Sequence, residues 1–386
     1  MAYSALLVSM ALVVYTWAAY PALLLALRTL SPRPVQPKPA TEDPFVSIIV
    51  AAHNEQEKIA AKLTNCLDLQ YSRDRVEIIV ASDGSTDATE EIVRSFLARD
   101  ARIRWLASSQ RSGKSGVQNL AAAAARGDIL FFTDAGTFLD QNVLRTMVDD
   151  LADPAVGLVT TTVRFGDPGD AIAKGQGFYW RFEFFLRQME SDLGILATAS
   201  GCALAVRRQL FRPLPSCYGD DCIVPLDVRL QGHKIVQDRS ALVFDAMPQG
   251  IQGELRARIR MTARNWSGTW ARPALLNPLR FPLTASGLVS HKLLRWLTPF
   301  FLAVGFLSNS VLAMGGHGLI LILWWMQLAF YLSAFVGWGL TRKQRPAGVC
   351  GYSFSFCLAN LGFLLGMIKA FRSQKIVAYP SPSNLA

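Results

Sequence analysis

Gly127-Asp128-Ile129-Leu130-Phe131-Phe132-Thr133-Asp134-Ala135-Gly136-Thr137 sets an apolar run directly against a carboxylate. Ile129–Phe132 reads as a buried strand that stops abruptly before Asp134. In an open α/β sheet, ligands bind in the crevice beyond the carboxyl ends of the strands. Gly136 lets a ligand come close to the backbone. An isolated Asp in such a place usually caps a turn. Two upstream stretches of the same design argue for more.

Val46–Ala52 is a second buried run, and it ends in His53-Asn54-Glu55 before a helical pattern through Leu69. Val76–Ala81 is a third. It ends in Ser82-Asp83-Gly84-Ser85-Thr86-Asp87 and is followed by a helix over Ala88–Ala98. Ile103–Leu106 reads as a short strand and Ser115–Ala125 as an Ala-rich helix. Strands alternating with helices at this spacing imply a parallel, doubly wound sheet. Its polar and acidic strand ends would then meet in one crevice. Gly113-Lys114-Ser115 is not a P-loop, because Ser108 stands where that motif needs its first Gly. Lys114 remains a cation at a helix start, suited to phosphate.

Further along, Val156–Val163 reads as a strand and Ile172–Leu193 as a long helix rich in aromatics. Ser200-Gly201-Cys202 opens a loop that leads into a strand reaching Arg208. Gly219-Asp220-Asp221 precedes a helical pattern over Cys222–Leu230 that stops at Gly232. Ile235–Val236 and Ala241–Phe244 read as two short strands. From Leu255 to Trp270 arginines alternate with apolar residues, the pattern of a helix lying in a membrane interface.

The composition explains why this polar middle is framed by apolar ends. Of 386 residues 51% are hydrophobic, and the charge-free runs are Tyr3–Leu27, Trp296–Met314, Gly318–Leu340 and Tyr352–Ile368. Each is long enough, or nearly so, to cross a bilayer as a helix. The first has no basic n-region and exceeds a usual signal-peptide core, so it reads as a permanent anchor. Arg28, Arg33 and Lys38 follow it, which places the polar region in the cytoplasm. The net charge of +10 suits an anionic membrane surface. Much of the basic excess lies beside membrane segments, so nucleic acid is not expected as a partner. Six cysteines make no CxxC pair and four histidines no metal cluster.

Taken together, these motifs resemble the membrane-bound family 2 glycosyltransferases, the group that includes cellulose, hyaluronan and poly-N-acetylglucosamine synthases. The resemblance covers about residues 46–270 and the membrane pattern. It implies a GT-A-like α/β fold, cytoplasmic and doubly wound with a mostly parallel sheet, with transmembrane helices at both ends. It also implies that Ala52, Asn54 and Glu55, with Asp83, Ser85 and Asp87, hold the uridine of a UDP-sugar. Lys114 would lie near the diphosphate, and Asp134 would hold sugar diphosphate and a metal, Mg²⁺ or Mn²⁺. Gly201 and Cys202 would line the acceptor site. Asp221 would be the catalytic base, with Asp220 beside it. Two positions depart from the family pattern. Gly136 replaces the second Asp of Asp-x-Asp, and the Gln-x-x-Arg-Trp motif of processive synthases survives only as Arg260. The second departure speaks against processive polymerisation.

The expected organisation is an anchor over residues 1–30, a Pro-rich linker over 31–45 and a cytoplasmic transferase domain over 46–250. Amphipathic interface helices over 251–292, membrane helices over 293–372 and a tail over 373–386 complete it. This is a multi-pass protein of the inner or plasma membrane, whose partners are a UDP-sugar, membrane lipids and a glycan or lipid acceptor. Its reaction would invert the anomeric carbon. The alternative is a non-catalytic nucleotide-sugar-binding subunit, for which Gly136 is the best argument. A transporter is disfavoured, since the apolar runs carry almost no charge. Four spans would leave Lys369, Arg372 and Lys375 outside, against the positive-inside tendency, so the last segment is either re-entrant or an exception.

Overall fold

A computed structural model describes residues 1–30, 42–108, 110–166, 178–216, 218–246, 250–316, 318–343, 345 and 347–372. Most of the Pro-rich linker and the tail from residue 373 lie outside them, as do the first residues of the aromatic helix expected from Ile172.

The chain opens with α1 (Ala2–Leu30), a helix with a π segment at Tyr15–Ala19. The domain then runs β1 (Val46–Ala52), α2 (Ile59–Leu67), β2 (Val76–Ser82), α3 (Thr89–Leu97), β3 (Ile103–Ala107), α4 (Gly113–Ala124) and β4 (Ile129–Asp134). It continues with β5 (Phe138–Leu139), α5 (Val143–Leu151), β6 (Val156–Phe165), α6 (Phe178–Asp192), β7 (Ala203–Arg207), α7 (Asp220–Leu230) and β8 (Lys234–Asp245). One sheet holds the strands in the order β3-β2-β1-β4-β7-β6-β8-β5.

The first half of that sheet is parallel, as the alternation of strands and helices requires. Ile48 and Val50 pack on one face with Ile59 and Leu63 of α2 and Val93 of α3. Ile49, Ile79 and Ala81 pack on the other with Val117 and Ala121 of α4. Burial on both faces is why these strands read as unbroken apolar runs. The second half is mixed, because β7 runs antiparallel to both β4 and β6. The two short strands expected at Ile235 and Ala241 are one strand. Register shifts where β6 pairs with β8 hide it from a two-residue alternation.

Register fixes the site. Ala51 pairs with Asp134 and Ala52 with Ser82, so the first three acidic or polar strand ends are level. Thr133 pairs with Ala203 of the antiparallel β7, which brings the Gly201–Cys202 loop to the same edge. Phe165 pairs with Asp245, which adds the end of β8.

Beyond the sheet come α8 (Gly250–Trp270), α9 (Pro282–Ala313), α10 (Gly318–Arg342) and α11 (Gly348–Phe371). With α1, the last three are long and apolar enough to cross a membrane. Leu307, Leu319, Trp325 and Phe335 face outward, where a bilayer would cover them. The basic helix α8 is seated against α11 through two glycines one turn apart. A Cβ at Gly362 would lie 2.7 Å from Arg258 Cβ, and one at Gly366 2.6 Å from Thr262 Cβ and 2.9 Å from the Ile259 carbonyl. Small residues at this spacing let helix backbones approach. Gly366→Ala is therefore expected to cost about 1–3 kcal/mol through overpacking. Gly339→Ala meets nothing within 4 Å and should be neutral or mildly stabilising. Thermal unfolding of both variants in detergent checks the contrast.

Candidate active site

The loops after β1 and β2 build each other. Asn54 sits at φ +55°, a left-handed conformation that Asn tolerates better than most residues. Its N–H donates to Ser85 Oγ at 3.2 Å, and its side-chain oxygen accepts from the Thr86 N–H at 2.8 Å. Glu55 N–H donates to Thr89 Oγ1 at 2.8 Å and Gln56 N–H to Asp87 Oδ2 at 3.1 Å. Asp87 thus shapes the pocket wall, and hydrogen bonding to Thr89 and Gln56 holds its carboxyl below the usual range against the effect of burial. Asp83 is buried, and its carboxylate accepts from Ser112 N–H at 2.7 Å and Gly113 N–H at 3.1 Å. It positions the start of α4, and with it Lys114.

Lys114 is the junction of the crevice. Its Nζ lies 2.6 Å from Asp134 Oδ1 and 3.2 Å from Asp220 Oδ2, and it donates to the Gly201 carbonyl at 3.5 Å. Asp220 Oδ2 also accepts from Gln118 Nε2 at 2.7 Å, so two donors meet one oxygen of this buried carboxylate. Asp221 is its neighbour in the first turn of α7, whose N-cap is Gly219. The Asp221 side chain faces the Gly201 loop: a Cβ on Gly201 would lie 3.6 Å from Asp221 Oδ2. Burial and then the charge of Asp220 raise its carboxyl above the usual range, against the pull of Lys114 and Arg264.

Arg260 is half-buried on α8. The arginine of that helix seated beside the acidic pair is Arg264, one turn further along. Its Cδ is 3.9 Å from a Cβ built on Gly219. Arg260, expected near the diphosphate, and Arg264 thus lie one turn apart on the same helix.

Three further residues of the site lay outside the sequence reading. Asp245 ends β8 and accepts from Cys202 Sγ at 3.0 Å. Burial, reinforced by the charge of Asp134, raises its carboxyl. It is a fourth acidic strand end, and the rule that found the others would have found it. Lys62 is fully enclosed and donates to Thr133 Oγ1 at 2.9 Å and the Thr137 carbonyl at 2.7 Å, bracing both sides of Asp134. Lys58 carries its ammonium 3.7 Å from a Cβ position on Gly136, where the family pattern has its second Asp.

Residues 47–214 match the profile of glycosyl transferase family 2. That stretch is similar to the family 2 glycosyltransferase domain. The chain is 28% identical over 212 residues to a beta-monoglucosyldiacylglycerol synthase of Nostoc, covering 53% of this chain and 45% of that protein. It is 24% identical over 221 residues to the poly-beta-1,6-N-acetyl-D-glucosamine synthase of Staphylococcus aureus, covering 56% and 53%. An N-acetylglucosaminyltransferase of Rhizobium meliloti is 26% identical over 262 residues, covering 64% and 61%. The chain spans about half the length of these curated relatives. Its fold is that of a mannosyltransferase from Pyrobaculum calidifontis solved with GDP-Man and Mn²⁺. The TM-score is 0.75 at 23% identity, covering 96% of this chain and 99% of that one.

Proposed function

We propose that this chain transfers a sugar from a nucleoside-diphosphate sugar to an acceptor hydroxyl at the cytoplasmic face of a membrane, inverting the anomeric carbon. The observation that carries the reading is Lys114 between Asp134 and Asp220, one residue from Asp221, at a carboxyl-edge crevice. Asp221 accepts the hydroxyl proton. The freed oxygen attacks the anomeric carbon from the face opposite the diphosphate, and the bond to the leaving oxygen breaks with inversion. Lys114 faces the charge that develops on that oxygen. Asp220, held by Lys114 and Gln118, keeps the lysine in place.

Among the described residues no cluster of three or more His, Cys, Asp or Glu is arranged to hold a metal unaided. The donor set nevertheless fits a hard divalent cation shared with a diphosphate. Asp134 is 43% exposed at the strand end, and Asp245 stands behind it. Mg²⁺ or Mn²⁺ held there would neutralise the leaving group.

The loops support a UDP donor, and the GDP-Man of the fold neighbour adds guanosine donors to the test panel. The experiment is to incubate the full chain in membranes with labelled UDP- and GDP-sugars and Mg²⁺ or Mn²⁺, and to size the product. One donor should release its nucleotide, and Asp134→Ala should weaken that donor's binding about tenfold or more. Donor binding without nucleotide release across the panel would favour the non-catalytic subunit.

A further inference from the structure

Asp221 also lines a cavity enclosed between the domain and the helices α8, α9 and α11. It holds about 70 Å³, room for one phosphate-sized group or two waters at ~30 Å³ each. Its walls come from α6, α7, α8, α9 and α11, with Tyr179, Trp296 and Phe363 on the membrane side. Its polar lining is mainly cationic: Arg187, Arg258 and Lys292 against Glu183 and Asp221.

Two of these cations are incompletely satisfied. Arg187 is 5% and Arg258 4% exposed. Among the described residues Arg187 Nε and Arg258 Nη1 have no hydrogen-bond partner, nor has the buried hydroxyl of Thr198 in the same cavity. Arg187 donates to Thr160 Oγ1 at 3.4 Å. Arg258 is bonded to Glu254 through Nε and Nη2 and its guanidinium lies 3.9 Å over the Tyr179 ring, and neither contact gives Nη1 a hydrogen-bond acceptor. The Glu183 carboxylate is already shared by Lys292, His291 and Arg295. A buried N–H without an acceptor is costly, so a water, an ion or a ligand group is expected to face these donors. These donors call for an acceptor-only group. Guanidinium forks fit phosphate oxygens.

We infer that the cavity seats the phosphate of a lipid acceptor, held by Arg187 and Arg258, so that the headgroup hydroxyl faces Asp221. This rests on the transferase reading above and narrows its acceptor from a glycan or lipid to a phosphate-bearing lipid with a free hydroxyl. The chain of that lipid would leave past Trp296 and Phe363 into the bilayer.

The test uses the full chain in phosphatidylcholine nanodiscs, titrated with brominated short-chain phosphatidylglycerol or brominated diacylglycerol. Bromine quenches tryptophan, and Trp180 and Trp296 line the cavity. Phosphatidylglycerol should quench saturably and take labelled sugar from the active donor, while diacylglycerol should do neither. Arg258→Gln and Arg187→Gln should weaken phosphatidylglycerol binding about tenfold or more, at unchanged donor affinity. Equal binding of the two lipids by the unaltered protein would overturn the inference without any variant. So would transfer into a neutral lipid or a glycan with phosphatidylglycerol ignored. Nucleotide release without any acceptor reports on the transferase reading alone, so failure of that reading is seen separately.

Discussion

Asp221→Asn is expected to lower sugar transfer by about two to four orders of magnitude while leaving donor affinity near normal. The substitution keeps the size and one oxygen of the side chain and replaces the charged, proton-accepting oxygen by a neutral amide group. A purely structural role would predict little change. The cap of α7 is Gly219, so Asn disturbs no capping bond at this position. Asp220 is the competing base, yet its carboxylate is engaged by Lys114 and Gln118. Asp221 faces the Gly201 loop and the cavity toward the membrane. The groups acting on it are Asp220 and Asp134, which raise its pKa as burial does, and Lys114 and Arg264, which lower it. Because the net shift is upward, the ionised base is lost on acidification at a pH above the usual carboxylate range. The acid limb of kcat/KM should therefore lie there and vanish in the Asn variant. The same shift has a stability sign. A carboxyl whose folded pKa is raised destabilises the fold increasingly as pH climbs from its unfolded to its folded value. Asn removes that cost, so the variant should melt no lower than the parent at neutral pH. Near-normal transfer by Asp221→Asn would move the base to Asp220.

The largest expected stability loss is at Glu183→Ala, about 3–5 kcal/mol. Glu183 is buried on α6 and accepts from Lys292 Nζ at 2.7 Å, His291 Nε2 at 3.0 Å and Arg295 Nη1. Burial alone would raise its carboxyl; Lys292, His291 and Arg295 together hold it well below the usual range. The other His291 nitrogen meets Glu190, which also accepts from the Tyr20 hydroxyl at 2.9 Å. Removing Glu183 leaves Lys292 and Arg295 enclosed without their shared acceptor, and Arg295 is only 1% exposed. Thermal unfolding in detergent reads the effect directly. A melting temperature within a degree of the parent would show that water or a neighbouring carboxylate takes over, and that the cluster is not what joins these helices.

Local pattern was enough to find the crevice. Ala52, Ser82 and Asp134 each follow an apolar run, and parallel pairing makes them level. The direction of β7 was not legible, because nothing in Ala203–Arg207 says which way the strand returns after α6. The short β5 and the helix α5 escaped notice: β5 is two residues long and gains meaning only by pairing with β8. Asp83 and Asp87, expected to hold a uridine, also bond the backbone of neighbouring loops, which no local pattern announces. Arg187 and Glu183 were hidden among the aromatics of α6. Their role depends on Thr160, Lys292 and Arg295, far away in sequence.

The contacts between α1 and the rest of the protein set an order of events during synthesis. Tyr20 waits for Glu190, 170 residues later, and Tyr15 and Trp17 wait for Ser290 and Thr298, more distant still. Residues 15–19 and 288–293 are both wound as π segments, and their side chains meet across this seam. The first helix must wait without these partners until the whole sheet has been translated and α9 has followed it. Only then can the underside of the domain close. A fragment cut to the polar region alone would expose Glu183 and Glu190 without their cations and hydroxyl. Attempts to produce it as a soluble enzyme should yield aggregated protein, and the smallest unit worth purifying includes α1 and α9.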